Sequence, residues 1–170
     1  MRDGEIDRAR SVARVKDLAE QVRAEGMHGT VGIAHTRWAT HGGPVVANAH
    51  PHIAGNRIAL VHNGIIENFA QLRAELEATG VTMQSQTDTE VLAHLVNFYL
   101  EDDLLEALKK ALSRVTGAYA VAVFDKRHPE RIVGARQGSP MVVGLGEGEN
   151  FIASDAMALS LIHISEPTRH

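Results

Sequence analysis

The sequence predicts an α+β fold with antiparallel sheets. Strand-like and helical segments come in blocks, strands, then helices, then strands again, without the βαβ alternation of a parallel sheet. The later strand-like runs are short and separated by turns containing Gly or Pro, which favours adjacent antiparallel strands. With 170 residues, 44% of them hydrophobic and 22% charged, the chain is long and apolar enough for one domain with a full core.

The first block begins with a helix, whose apolar residues recur at three- and four-residue spacing and which Gly26 ends. A strand, a Gly-Gly-Pro turn, a loop and a second strand follow, and Asn63-Gly64 is expected to stop that second strand. In chain order these five elements cover residues 12–22, 30–36, 42–44, 45–56 and 57–62.

Three helices are predicted next. Gly80 ends the first, Thr87 and Glu90 form the T-x-x-E pattern of a capping box that starts the second, and Asp102 or Asp103 caps the third. Their apolar positions, at helical spacing, are Leu72 and Leu76, then Leu92, Leu95, Val96 and Tyr99, then Leu105, Leu108 and Leu112.

The last block is predicted to hold four short strands, over residues 118–125, 131–136, 141–144 and 150–154. The pattern is orderly up to Leu159. Residues 160–170 fit no continuing element and resemble translated sequencing adapter, so this tail is set apart from a domain that covers residues 1–159.

Composition excludes several classes of protein. A formal net charge of −4 disfavours nucleic-acid and anionic-membrane partners. The absence of cysteine excludes a disulfide scaffold, a thiolate metal site and a thiol nucleophile within these residues. No run of apolar residues reaches transmembrane length and no signal region follows the first charges, so a cytoplasmic location is expected.

Five histidines within 28 residues are the first candidate site. They could ligate zinc, but no H-E-x-x-H motif and no helical His pair occurs among them. The favoured interpretation is that they order loops by hydrogen bonding. They are His35, His41, His50, His52 and His62.

A polar segment after the first predicted strand is the second candidate. Arg37 offers a planar donor fork suited to a carboxylate, and Thr40 and His41 add donors nearby. Trp38, the only tryptophan, lies in this polar context. The alternative is a core aromatic residue beside a surface arginine.

Two further candidate sites are the pair Asn63 and Gly64 and the single residue Asp88. Asn63 and Gly64 could form an oxyanion hole from a side-chain NH₂ group and a backbone N–H group, or simply a turn. Asp88 could hold a ligand ammonium group, or only stabilise the start of a helix.

Taken in order, these motifs resemble one family. The series HTRWATHG, NAHPH, LVHNGIIEN, QTDTEV, GAYAVAVFD and GSPMVVGLGEGENFIASD is similar to the glutaminase domain of the glutamine–fructose-6-phosphate aminotransferases (isomerizing). These glucosamine-6-phosphate synthases are class II glutamine amidotransferases. The resemblance covers about residues 14–159, and several motifs match in order and spacing at once.

The resemblance implies the N-terminal-nucleophile hydrolase fold, an αββα sandwich of two antiparallel sheets between helical layers. In this family an N-terminal cysteine thiol attacks the side-chain amide of glutamine, and the free α-amino group serves as the base. Asn63 and Gly64 would form the oxyanion hole, so they are the expected catalytic residues.

The resemblance also implies how glutamine is bound. Arg37 would hold the α-carboxylate and Asp88 the α-ammonium group, which fixes the amide for attack. Thr40 and His41 would line the same pocket, and Trp38 would gate the passage of ammonia. No cofactor and no metal is implied.

The expected partners are glutamine, a C-terminal sugar-phosphate isomerase domain that uses fructose 6-phosphate, and a second copy of the enzyme in a homodimer. The released ammonia would serve glucosamine-6-phosphate synthesis.

The sequence departs from the family in one large respect, because the N-terminal Cys-Gly-Ile-Val-Gly strand does not occur in it. We therefore expect an incomplete domain, a fragment from a truncated gene model, without glutaminase activity of its own. A non-catalytic glutamine-binding or regulatory module and another class II amidotransferase are the alternatives, and a histidine-based metallohydrolase is a distant third.

Overall fold

The computed structural model describes residues 4–38 and 40–160. Five α-helices, one 3₁₀ turn and six strands occur in these residues. The helices are α1 (Val15–Ala24), α2 (Phe69–Ala78), α3 (Asp88–Tyr99), α4 (Leu104–Leu112) and α5 (Ala156–Ser160), and the turn is Val46–Asn48. The strands are β1 (His52–Ala54), β2 (Ile58–Ile66), β3 (Gly117–Asp125), β4 (Ile132–Gln137), β5 (Val142–Leu145) and β6 (Asn150–Ala153).

The strands form two antiparallel sheets. In the larger sheet β1 to β4 lie side by side in chain order, and the nine residues of β2 pair with the whole of β3. In the smaller sheet β5 pairs with β6. The predicted α+β class and the last four strands are confirmed to within one or two residues at each end.

The core lies on one face of the larger sheet. Because side chains alternate along a strand, Ile58, Leu60 and Ile66 of β2 share this face, and all three are fully buried. The central helix α3 contacts β1 and β2 as well as α2 and α4. The core is therefore a layer between the sheet and three helices.

The helix starts follow the predicted chemistry. The hydroxyl group of Thr87 accepts a hydrogen bond from the Glu90 N–H at 3.2 Å, which caps α3. The Asp103 carboxylate accepts from Leu105 N–H at 2.7 Å and so caps α4. The Glu90 carboxylate bonds to residues 84 and 85 instead of to Thr87, so only half of the predicted capping box forms.

Three predictions about the first block are wrong. Residues 30–36 do not form a strand, because no neighbouring strand in the described part of the chain pairs with them. The predicted loop over 45–56 contains β1, which is too short to show the two-residue alternation of apolar and polar side chains that marks a strand. Asn63 and Gly64 do not stop β2, which continues to Ile66 because β3 supplies hydrogen bonds along its whole length.

Helix α1 forms as predicted but has no buried residue, and Val12 and Val15 are more than half exposed. Residues 161–170 of the predicted tail lie outside the described residues, while the backbone of Ser160 still belongs to α5.

We expect Leu92→Ala to lower the free energy of unfolding by about 2–5 kcal/mol, because the side chain is fully buried in α3 and its removal leaves a cavity. Leu105→Ala is the matched control, since 40% of that side chain is exposed. Urea denaturation of both variants measures the difference. Equal losses would show that α3 does not pack as described.

Candidate functional site

An open cavity of about 770 Å³ lies on the face of the larger sheet that α2 to α4 leave free. The N-terminal segment and α1 provide apolar walls together with the polar residues Asp7, Arg8 and Ser11. Further polar lining comes from β2 and the loops before it, through His35, Arg37, His50 and Asn63.

Asn63 and Gly64 follow each other near the end of β2. The Asn63 side chain is half-buried at the cavity, and its Oδ1 lies 2.6 Å from Nε2 of His35. Gly64 adopts a φ angle of +127°, where an added Cβ atom would overlap the carbonyl oxygen of Ala118 on β3. The close pairing of β2 with β3 thus requires glycine at position 64.

Three histidine rings pack in a row, and two of them, His35 and His50, line the cavity. The ring centroids of His35 and His50 are 4.1 Å apart, and those of His50 and His52 are 5.2 Å apart. Burial lowers the pKa of His50 to about 2 and that of His52 to about 4. The cluster is therefore neutral at physiological pH.

The Arg37 guanidinium group forms hydrogen bonds within the loop that follows it. It donates to the carbonyl oxygens of His41, Gly42 at 3.2 Å and Gly43 at 3.3 Å. These bonds hold a planar donor group at the edge of the cavity.

Asn48 joins this loop to the segment before α3. Its Nδ2 group donates to the Gly43 carbonyl at 3.0 Å and to Gln86 Oε1 at 3.2 Å, while its Oδ1 accepts from Gln86 N–H at 2.9 Å. The side chain is only 1% exposed. Sequence analysis missed Asn48, whose only signal was its place in the NAHPH motif.

Asp88 lies buried at the start of α3. Its Oδ2 accepts from the Ile66 N–H at 3.0 Å and lies 3.7 Å from Nδ1 of His41 and 4.0 Å from Nδ1 of His62. The neighbouring Thr89 hydroxyl is 3.2 Å from that same His62 nitrogen. The carboxylate therefore links the end of β2 to residue 41.

Glu90 is a second buried carboxylate that sequence analysis treated only as part of a cap. It accepts from the backbone N–H groups of Gln84 and Ser85 and from the Ser85 hydroxyl, at 2.6–2.9 Å. Burial opposes its ionisation, but these donors outweigh burial and hold the pKa of Glu90 below its ordinary value. Its role is to order the segment that leads to Asp88.

The predicted site residues are only partly brought together. Arg37 and Asn63 line the cavity, whereas Gly64, His41 and Asp88 are not among its lining residues. Arg37 and Asp88 both contact His41, Arg37 through the backbone carbonyl oxygen and Asp88 through the ring.

The remaining two predicted site residues, Thr40 and Trp38, lie on the surface. Thr40 is exposed, with its hydroxyl 3.3 Å from Nδ1 of His41, and the Trp38 side chain is 90% exposed.

In the part of the chain that the structure describes, no group of three or more His, Cys, Asp or Glu residues is arranged to hold a metal ion. The hydrogen bonds of His35, His52 and His62 fit the loop-ordering role. None of the helices in residues 4–38 and 40–160 has the length and apolar character needed to cross a membrane.

The fold is that of the N-terminal-nucleophile amidotransferases. The glutamine phosphoribosylpyrophosphate amidotransferase from B. subtilis matches with a TM-score of 0.63 and 30% identity, over 75% of this chain and 28% of that one. The structure of the allosteric regulatory enzyme of purine biosynthesis matches with a TM-score of 0.65 and 32% identity, again over 75% of this chain.

The model of the glutamine amidotransferase domain family matches residues 35–160, and the chain belongs to this family. The glutamine–fructose-6-phosphate aminotransferase (isomerizing) of Bordetella pertussis is 58% identical over 163 residues, and that of Escherichia coli is 52% identical over 159 residues. These matches cover 93% and 92% of the chain but only 27% and 26% of the relatives, so the chain spans about a quarter of their length. The predicted resemblance is confirmed.

We expect the folded protein to lose stability as the pH falls from about 6.5 to 4. The unfolded chain protonates its histidines near pH 6.5, whereas folded His50 stays neutral to about 2, so the unfolded state binds the extra proton. His50→Gln should therefore reduce the slope of unfolding free energy against pH by about 1.4 kcal/mol per pH unit within this window. Urea titrations at several pH values measure the slope.

His28→Gln serves as the control, because His28 is exposed. A His50→Gln slope equal to that of the unchanged protein would contradict the neutral buried state of His50.

Proposed function

We propose that this domain binds glutamine and activates its side-chain amide, so that the nitrogen is released as ammonia for glucosamine-6-phosphate synthesis. The observation that carries the proposal is the pair Asn63 and Gly64 on β2, with the Asn63 amide at the cavity and its oxygen bonded to His35. Amide hydrolysis develops negative charge on the former carbonyl oxygen, and two convergent N–H donors stabilise that charge. Asn63 Nδ2 and Gly64 N–H are the proposed donors.

Arg37 and Asp88 are proposed to recognise the two charged ends of glutamine. The Arg37 fork now bonds to three neutral carbonyl oxygens, and a substrate carboxylate in their place would form stronger, charge-assisted bonds. Asp88 is a buried acceptor for the ammonium group. The loop of residues 41–43 touches both side chains, so Thr40 and His41 would adjust with the bound amino acid.

The nucleophile is proposed to be the cysteine thiol with which the family begins. The α-amino group takes the thiol proton, and attack of the thiolate on the amide carbon forms a tetrahedral intermediate. The protonated amino group then gives that proton to the nitrogen as the C–N bond breaks, so that ammonia leaves and a thioester forms, and water hydrolyses the thioester to glutamate and the free thiol. Since the 170 residues contain no cysteine, we propose that this chain alone does not release ammonia.

The partners are also proposals. Trp38, 90% exposed, would line the passage of ammonia towards a sugar-phosphate isomerase domain that binds fructose 6-phosphate, in an enzyme that is a homodimer and cytoplasmic. The second candidate function is a non-catalytic glutamine-binding module, which the absence of cysteine favours.

The test compares this chain with a chimaera. In the chimaera, the family's Cys-Gly-Ile-Val-Gly segment and the family residues that follow that segment are joined directly before residue 14. We expect ammonia release from glutamine only in the chimaera. Asn63→Ala in the chimaera should lower kcat about 100-fold or more, the usual loss of one oxyanion donor.

Gln71→Ala is the matched control, because it removes an exposed side-chain amide that bonds to Glu75. A glutaminase-inactive chimaera that still binds glutamine would favour the non-catalytic module. An effect of Asn63→Ala confined to KM would contradict the oxyanion role.

We expect Arg37→Lys and Asp88→Asn to raise the KM of the chimaera for glutamine about tenfold or more. Lysine keeps the charge but loses the planar fork, and asparagine keeps the shape but loses the charge. Each change removes a charge-assisted bond of about 1.5–3 kcal/mol. Steady-state kinetics of ammonia release measure KM, and thermal unfolding of each variant separates recognition from folding. A lower melting temperature with unchanged KM would contradict the assignment.

A further inference from the structure

We infer that His35 is a positioning residue, which holds the Asn63 amide so that its NH₂ group faces the cavity. The inference deepens the proposed function and rests on it, because it concerns the oxyanion donor assigned there. It goes beyond the site predicted from the sequence, where His35 was only one member of a histidine cluster.

The contact between the two side chains sets the direction of the amide. Nε2 of His35 lies 2.6 Å from Oδ1 of Asn63. An amide oxygen only accepts hydrogen bonds, so Nε2 must carry the proton and donate it. The Nδ2 group of Asn63 then points away from His35 and has no hydrogen-bond partner among the described residues.

The surroundings of His35 fix which ring nitrogen carries the proton. Its Nδ1 atom is buried without a hydrogen-bond partner in the described part of the chain. A proton on Nδ1 would leave a buried N–H donor unsatisfied, whereas a bare Nδ1 leaves only an unused lone pair. The tautomer with its proton on Nε2 is therefore the stable one.

Two other features keep the ring neutral and in place. Burial lowers the pKa of His35 and outweighs the hydrogen bonds to Asn63 and to the His62 backbone, which act to raise it. The ring of His50, 4.1 Å away between centroids, packs against it. A neutral ring with one defined proton gives Asn63 one defined orientation.

The opposite tautomer would remove the proposed function of Asn63. With the proton on Nδ1, Nε2 would be an acceptor and would draw the Asn63 NH₂ group towards itself. The amide oxygen would then face the cavity, where it would repel a developing oxyanion. The tautomer of His35 thus determines whether Asn63 presents its NH₂ donor or its acceptor oxygen to the cavity.

The test is nuclear magnetic resonance on the chain itself, which needs neither nucleophile nor activity. Long-range ¹H–¹⁵N correlations identify the protonated nitrogen of each histidine, and through-bond correlations from each ring to its own assigned backbone identify residue 35 in the unchanged chain. We expect the proton on Nε2. His28 is an internal reference for the opposite form, because its Nδ1 lies 2.8 Å from the Gly26 carbonyl oxygen and must donate to it.

A pair of variants tests the positioning role. In His35→Gln the side-chain NH₂ group replaces the Nε2 donor, so the ¹⁵N relaxation of the Asn63 side-chain amide should stay that of a rigid group. In His35→Ala the donor is lost, and the amide should become mobile.

A proton on Nδ1 of His35 in the unchanged chain would overturn the inference, even if both variants fail to fold. An Asn63 amide equally rigid in His35→Ala would overturn it as well. Either result would leave glutamine binding and the chimaera's activity to be judged separately, so failure of this inference is distinct from failure of the proposed function.

Discussion

The buried first turn of α3 is the constraint on which the rest of the site depends. Thr87, Asp88, Thr89 and Glu90 are each at most 4% exposed, so each of their polar groups needs a partner inside the protein. Those partners come from His52 on β1, Ile66 and His62 on β2, and residues 84 and 85. One helical turn thereby fixes the end of β2 against two loops, at the point where the candidate oxyanion donors lie.

Strand β2 serves the core and the cavity at once because its side chains alternate. His62 points to the α3 face, where Thr89 and Asp88 meet it, and Asn63, one residue later, points to the opposite face and lines the cavity. A shift of one residue in the pairing with β3 would exchange the two. The long register of β2 with β3 therefore stabilises the sheet and also sets which of the two side chains faces the cavity.

Electrostatics divide the site into a neutral part and a charged part. Burial keeps His50 and His52 neutral, with pKa values of about 2 and 4, so the wall beside Asn63 carries hydrogen-bonding groups without positive charge. Arg37 supplies a positive group at the cavity, and Asp88 a buried negative group behind the loop of residues 41–43. An amino acid, which has both charges on one carbon atom, is the class of ligand that such a separation suits.

The sequence by itself determined those features that local chemistry decides. The helices α2 to α4 and strands β3 to β6 follow from apolar periodicity, and the starts of α3 and α4 from the capping residues Thr87 and Asp103. The motifs around Arg37, Asn63 and Asp88 were sufficient to predict the family, because several of them match in order and spacing.

Only the tertiary structure decided what depends on partners distant in the chain. Residues 30–36 have the pattern of a strand but are not part of any strand in the described part of the chain. Asn63-Gly64 has the sequence of a turn but is held extended by β3. The bond from His35 to Asn63 joins residues 28 positions apart, and the bridge that Asn48 makes to Gln86 spans 38. Such contacts leave no periodic signal, because a hydrogen bond between distant residues is set by how the strands and loops pack and not by the spacing of residue types along the chain.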